Sequence, residues 1–232
     1  MKGDLGSYPN YTLDGGIVPP RTAIIGNDIT VDKLMKALIW YHFPRARDIL
    51  DPTCGIENHL MGWAWMNHKR YRYFGSDVRE SKYPVALIDV LYSLPFRDRS
   101  FDIIVYDPPY APYTKFDKRD KHYLDKLYTP ASIRKFYSVK VFREFHRVSR
   151  MGIIVKGEDY YYPTDSNNLH LFQPLVIPNM MEAGWKIRAV YVYIHFRRDK
   201  ALLQYRMRHI ARRTRRPVIM HTYFVVGVKQ LP

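Results

Sequence analysis

Four acidic residues stand directly after short apolar runs: Asp51, Asp77, Asp89 and Asp107. In an open α/β sheet, ligands bind beyond the carboxyl ends of the strands, so acids at those points are placed to meet a ligand. Acids on helix faces are ordinarily just solvated. Asp51 opens the loop Asp51-Pro-Thr-Cys-Gly-Ile-Glu57. Within it, Gly55 permits close backbone approach to a ligand, and the helix start that follows offers N–H groups. Asp77 comes about one strand-helix-strand unit later, where a carboxylate accepts hydrogen bonds from ribose hydroxyls. Taken singly, each acid would equally suit a turn or a helix cap.

The most specific segment is Ser100-Phe-Asp-Ile-Ile-Val-Tyr-Asp-Pro-Pro-Tyr110. At average composition a given Asp-Pro-Pro-Tyr tetrapeptide arises by chance in roughly one chain in a thousand of this length. Here it also closes an apolar strand. A rigid turn leaving the sheet needs only the two prolines, which accounts neither for Asp107 before them nor for Tyr110 after them.

The elements that must position these residues follow from the hydrophobic pattern. Residues 1–30 are rich in Gly and Pro and read as an irregular lead-in, followed by a single domain over 31–232. Asp28-Ile-Thr30 caps a helix running through Trp40 that must stop before Pro44. Strands are expected at 47–51, 71–77, 85–89 and 101–106, with a helix over 56–66 that carries Trp63 and Trp65 as core residues. Ile133, Tyr137, Val141, Phe145 and Val148 mark one face of a long helix over 131–150. A buried strand at 152–155, a helix over 168–183 ending at Gly184, and strands at 186–195 and 221–228 complete the chain. Strand–helix alternation of this kind predicts an α/β fold, a mostly parallel sheet with helices on both faces. The seven residues between Asp77 and Val85 are too few for an ordinary parallel crossover helix.

Composition narrows the class. The chain has 232 residues, long enough for one substantial core, and its 47% hydrophobic content excludes a disordered polyelectrolyte. No apolar run suggests a membrane span, and the first residues lack a secretory signal pattern, so an intracellular, cytoplasmic protein without membrane partners is expected. Cys54 is the only cysteine, and no Cys/His spacing suggests a metal site. The net charge of +15 attracts polyanions, and 20 Tyr, 11 Phe and 4 Trp offer rings on which bases stack.

In Asp51-Pro-Thr-Cys-Gly, Asp77, Asp89 and Asp107-Pro-Pro-Tyr110, taken in order, the sequence resembles the class I S-adenosylmethionine-dependent methyltransferases that methylate exocyclic amino groups of nucleic-acid bases. The resemblance spans roughly residues 45–230; Glu57 stands where many members carry a second glycine. It implies a Rossmann-like, seven-stranded, mostly parallel sheet with one antiparallel strand near its edge. It also implies S-adenosylmethionine as cofactor, bound by Asp51, Thr53, Gly55, Asp77 and Asp89. Asp107, Pro108, Pro109 and Tyr110 would then be catalytic. An exocyclic amine is a poor nucleophile because its lone pair is delocalised into the ring. The Asp107 carboxylate and Pro108 carbonyl would hold its N–H groups and free that lone pair, as pre-positioned acceptors that need no reorganisation. Tyr110 would stack on a base drawn out of its strand. Orientation effects of about 7–11 kcal/mol can drive such a transfer without a metal.

Adenine N6 in DNA is the first expectation. The alternatives are cytosine N4 in DNA, guanine N2 or adenine N6 in tRNA or rRNA, and a catalytically inactive nucleic-acid-binding module on the same fold. A nicotinamide enzyme is disfavoured because the G-x-G-x-x-G fingerprint is absent. Residues 197–216 carry nine Lys/Arg against Asp199 alone and interrupt the last two strands. There Arg212, Arg213, Arg215 and Arg216 are expected to grip phosphates. With no large separate reading domain in view, target recognition falls to the segments after Tyr110, around 157–168 and over 197–216, or to a second copy or partner subunit.

Overall fold

The computed structural model describes residues 24–25, 30–55, 70–78, 86–109, 130–161, 169–194 and 221–229. Helix α1 (Val31–His42) starts after Thr30 and ends just before Pro44, as expected, burying Leu34, Leu38 and Ile39 on one face. The strands are β1 (Ile24–Ile25), β2 (Asp48–Asp51), β3 (Arg72–Asp77), β4 (Ala86–Leu87), β5 (Phe101–Tyr106), β6 (Ser149–Gly157), β7 (Tyr160–Tyr161), β8 (Leu169–His170), β9 (Lys186–Ile194) and β10 (His221–Val228). The remaining described helices are α2 (Pro130–Phe136), α3 (Val139–Val148) and α4 (Phe172–Glu182). No helix among the described residues is long and apolar enough to cross a membrane.

The main sheet has the order β1-β9-β10-β6-β5-β2-β3-β4, while β7 and β8 form a separate antiparallel pair. Strand β10 runs antiparallel to both its neighbours, β6 and β9, and every other pairing in the main sheet is parallel. The seven strands β2 to β6, β9 and β10 thus carry one antiparallel strand next to the edge, with β1, drawn from the lead-in, added as an eighth.

Alternation along the strands sorts the core into two layers, as a two-sided sheet requires. Ile49, Ile103, Val105, Ile154 and Phe224 pack with α1, whereas Leu50, Ile104, Tyr106, Ile153 and Val225 pack with α2, α3 and α4. The expected long helix over 131–150 is instead two helices. Tyr137 and Ser138 bond back to Arg134 and Lys135, a tightened last turn, and Ser138 then adopts extended geometry (φ −72°, ψ 154°) before Phe142 bonds to its carbonyl. The stripe Ile133, Tyr137, Val141, Phe145 and Val148 stays buried, because both helices lie on the same face of the sheet. Similarly, the helix expected from 168 begins at Phe172, since Leu169–His170 pair with β7 as a strand.

Charged residues at the amino ends of the central strands clamp one another. Arg150 reaches Asp48 at 2.5 Å and Asp102 at 2.7 Å, and Asp102 also accepts the backbone N–H groups of Arg47 and Asp48. That leaves the opposite, carboxyl ends of β2, β3 and β5 for the acids singled out by the sequence.

Candidate active site at the switch point

The sheet order reverses between β2 and β5: from β2 the chain builds outward through β3 and β4, and from β5 it builds the other way through β6. Such a reversal splits the connecting loops apart and opens a crevice beyond the strand ends. Asp51 closes β2, and Asp107 directly follows β5. Both lie at that crevice.

Asp51 is 1% exposed. Its carboxylate accepts from the Tyr73 hydroxyl at 2.8 Å and from the Thr53 N–H at 3.3 Å. Burial, reinforced by the nearby Asp107 and Asp77 carboxylates, pushes its pKa up to about 7 against the pull of those hydrogen bonds. Burial also raises the Tyr73 hydroxyl, with Asp51 adding to the effect. The Thr53 hydroxyl in turn accepts the Asp107 N–H at 3.2 Å, so the loop after β2 is latched directly to the Asp-Pro-Pro segment after β5.

Gly55 adopts φ +76°, a left-handed conformation that suits glycine, and a Cβ there would meet none of the described residues within 4 Å. Its N–H donates to the Asp77 carboxylate at 3.0 Å. The neighbouring Cys54 N–H donates to the Ser76 carbonyl at 3.0 Å, and Cys54 itself is buried. Asp77 thus ties the loop to the end of β3. Asp89 accepts the Leu91 N–H at 2.9 Å as the cap of a turn after β4, one residue beyond an Ile88 N–H bond to the Asp77 carbonyl. The structure therefore brings Asp51, Thr53, Gly55, Asp77 and Asp107 into one bonded cluster, with Asp89 at its margin. Pro108 is buried and Pro109 half-buried. Glu57, Tyr110, Trp63, Trp65, His195 and the four arginines from Arg212 to Arg216 lie outside the described residues.

The sequence reading missed Lys156. Its Nζ lies 3.0 Å from each carboxylate oxygen of Asp107, with both side chains largely buried. Burial raises the Asp107 carboxyl above the ordinary range; Lys156 pulls it back, and Glu158 adds to the rise. Lys156 follows the apolar run Ile153-Ile-Val155, so a charge closing a buried strand, the same signal that marked the acids, was there to be read. Beyond it, the Thr222 hydroxyl donates to Glu158 at 2.6 Å, and the buried Asp159 accepts from Phe172 N at 2.7 Å and from the Tyr223 hydroxyl at 3.1 Å. His221 belongs to β10, as expected, with Nε2 3.2 Å from Asp159. A cleft of about 340 Å³ opens beside Glu158, walled by Tyr137, Tyr160, His170 and Phe172; within it the Tyr160 and His170 rings stack with centroids 4.9 Å apart.

No protein-family model matches the chain, and no curated protein matches it in sequence. Solved structures match in shape. A SAM-dependent methyltransferase from Methanosarcina mazei is 13% identical, with a TM-score of 0.49 over 84% of this chain and 98% of that one. One from Archaeoglobus fulgidus is 15% identical, with a TM-score of 0.45 over 85% of this chain and 94% of that one. TrmN from Thermus thermophilus is 12% identical, with a TM-score of 0.49 over 90% of this chain and 50% of that one. The strand order, with its single antiparallel strand next to the edge, agrees with the expectation from the sequence. The fold is a Rossmann-like α/β sheet with helices on both faces.

Proposed function

We propose that this protein transfers a methyl group from S-adenosylmethionine to an exocyclic amino group of a nucleic-acid base, with adenine N6 in DNA as the first target. The observation that carries the reading is the Thr53–Asp107 hydrogen bond. It sets the Asp-Pro-Pro acceptors against the loop that the fold places at the switch point. The residues present fit an adenosyl cofactor. Among the described residues nothing comes within 4 Å of where a Cβ on Gly55 would stand, and an acid of the type that receives ribose hydroxyls ends the neighbouring strand at Asp77. Asp51, Thr53, Gly55 and Asp77 would hold the cofactor, with Asp89 beyond them. When bound, it supplies an electrophilic methyl on a sulfonium.

The chain's own residues would do the rest. The Asp107 carboxylate and the Pro108 carbonyl take up the N–H groups of the amine and turn its lone pair outward, while Tyr110 stacks on the base. The acid is the stronger acceptor, free of an O–H of its own, when ionised, and Lys156 favours that state. Support for a polyanionic substrate comes from the charge of +15 and from topology. Segments 110–129 and 195–220 both join the sheet at its carboxyl-end rim, the first after β5 and the second between the ends of β9 and β10. Segment 162–168 joins β7 to β8, just past the end of β6. Ile194 and His221, which flank the basic segment, are paired partners at that rim.

Incubation with labelled cofactor and separate DNA and RNA pools, followed by nucleoside mass spectrometry, tests the reading. N6-methyladenine in DNA is expected, with transfer lost in Asp107→Ala while cofactor affinity persists. N4-methylcytosine or N2-methylguanine would keep the amine chemistry and change the base. Label confined to protein, or on a ring carbon, would overturn the reading.

A further inference from the structure

The register of the parallel pair β5–β6 aligns Tyr106 with Val155, so the next residues outward, Asp107 and Lys156, stand side by side where both strands leave the sheet. The Lys156 ammonium bridges both oxygens of Asp107 at 3.0 Å, and the side chains of the pair are 8% and 13% exposed. Around the carboxylate are Lys156 from β6, Glu158 just beyond β6 and Asp51 from the end of β2; β10 contributes the uncharged Phe224 opposite Lys156. Burial and Glu158 oppose ionisation of Asp107, and Lys156 favours it.

We propose that Lys156 is a positioning residue, which pins the Asp107 carboxylate in its ionised form through both oxygens and leaves its remaining lone pairs to the substrate amine. The inference rests on the acceptor role given to Asp107 above. A carboxylate offers about four acceptor positions, so one hydrogen bond to each oxygen leaves room for an incoming N–H on each. Without the ammonium, a buried acid beside Glu158 takes up a proton, becomes a donor on one oxygen and loses its grip on the amine. The two hydrogen bonds also stop the carboxylate from rotating about its bond to Cβ, which fixes the direction in which those lone pairs point.

The test reads Asp107 directly. In protein labelled with carboxyl-¹³C aspartate, the Asp107 resonance is assigned by its loss in Asp107→Asn and followed against pH. Lys156→Met, and Lys156→Gln as the variant that retains a polar head should Met not fold, are expected to move its midpoint upward by about 1–3 pH units. The same variants should lose methyl-transfer kcat at neutral pH, with KM and cofactor affinity close to wild type, and regain it as pH rises through the new midpoint. A purely structural role for Lys156 predicts a loss that stays flat with pH. An unmoved Asp107 midpoint in a folded variant overturns the proposal, as does a kcat loss that higher pH does not restore. A moved midpoint in a protein that methylates no base would support the pinning while refuting the reaction, so the two failures are separable.

Discussion

Asp51 is a carboxylate whose surroundings favour its proton. Its two hydrogen-bond donors, the Tyr73 hydroxyl and the Thr53 N–H, are outweighed by burial and by two neighbouring acids, which raise its pKa from 3.8 to about 7. The folded state therefore binds the proton more tightly than the unfolded chain. Its contribution to stability is fully present below the unfolded pKa and is lost as pH rises through the folded one. Asp51→Asn keeps a carbonyl acceptor for Tyr73 without the charge. Its unfolding free energy should exceed that of wild type by a margin that grows between about pH 4 and pH 8 and reaches a few kcal/mol at the upper end, with the thermal midpoint rising in step. Parallel midpoint curves for the two proteins would show that Asp51 stays ionised throughout.

Helix α4 is seated through its first residue. Phe172 donates its N–H to Asp159, lies parallel to the Tyr223 ring at 5.9 Å, and packs directly over Gly157 at the end of β6. A Cβ on Gly157 would run into the Phe172 ring. Gly157→Ala should therefore destabilise the protein by about 1–3 kcal/mol in denaturant titrations, the cost of overpacking. A strand glycine with room for a methyl would show the opposite sign. Replacing Phe172 with Leu in the same chain should recover part of the loss. Adjacent Lys156 and Glu158 give this packing functional weight, since a shift of the β6 end would carry both of them with it. The apolar stripe from Ile133 to Val148 was legible at this scale, but the break at Ser138 was not. A 3.6-residue period survives a kink when both pieces pack against one face, so the pattern carries no mark of it.

Across the whole molecule, charge is divided by the direction of the sheet. The amino ends are locked by the Asp48, Asp102 and Arg150 cluster, whereas the carboxyl ends carry the acids of the site and receive both ends of the basic segment. If Arg212, Arg213, Arg215 and Arg216 grip phosphates, replacing all four with Gln should weaken nucleic-acid binding across sequences. The slope of log affinity against log salt should then become shallower by about 0.7–0.9 for each phosphate no longer neutralised, with cofactor affinity unchanged. Binding curves on matched and scrambled duplexes and single strands, at several salt concentrations, check this. An unchanged slope would make the segment a solvated face, and an altered preferred sequence would assign the arginines to base edges.

Local pattern was enough to find the strands and the acids that end them. Alternation of Ile103 and Val105 against Ile104 and Tyr106 marks a two-sided strand, and Asp107-Pro-Pro stops it, because proline cannot donate to the ladder. Those signals are read within a few residues, where backbone sterics and side-chain period act. The sheet order, the Thr53 bond to Asp107 and the Lys156 clasp across 49 positions belong to the tertiary structure alone. Each depends on which strands become neighbours. That is decided by burying two apolar layers at once and closing long loops, a balance over the whole chain that no short window of sequence contains.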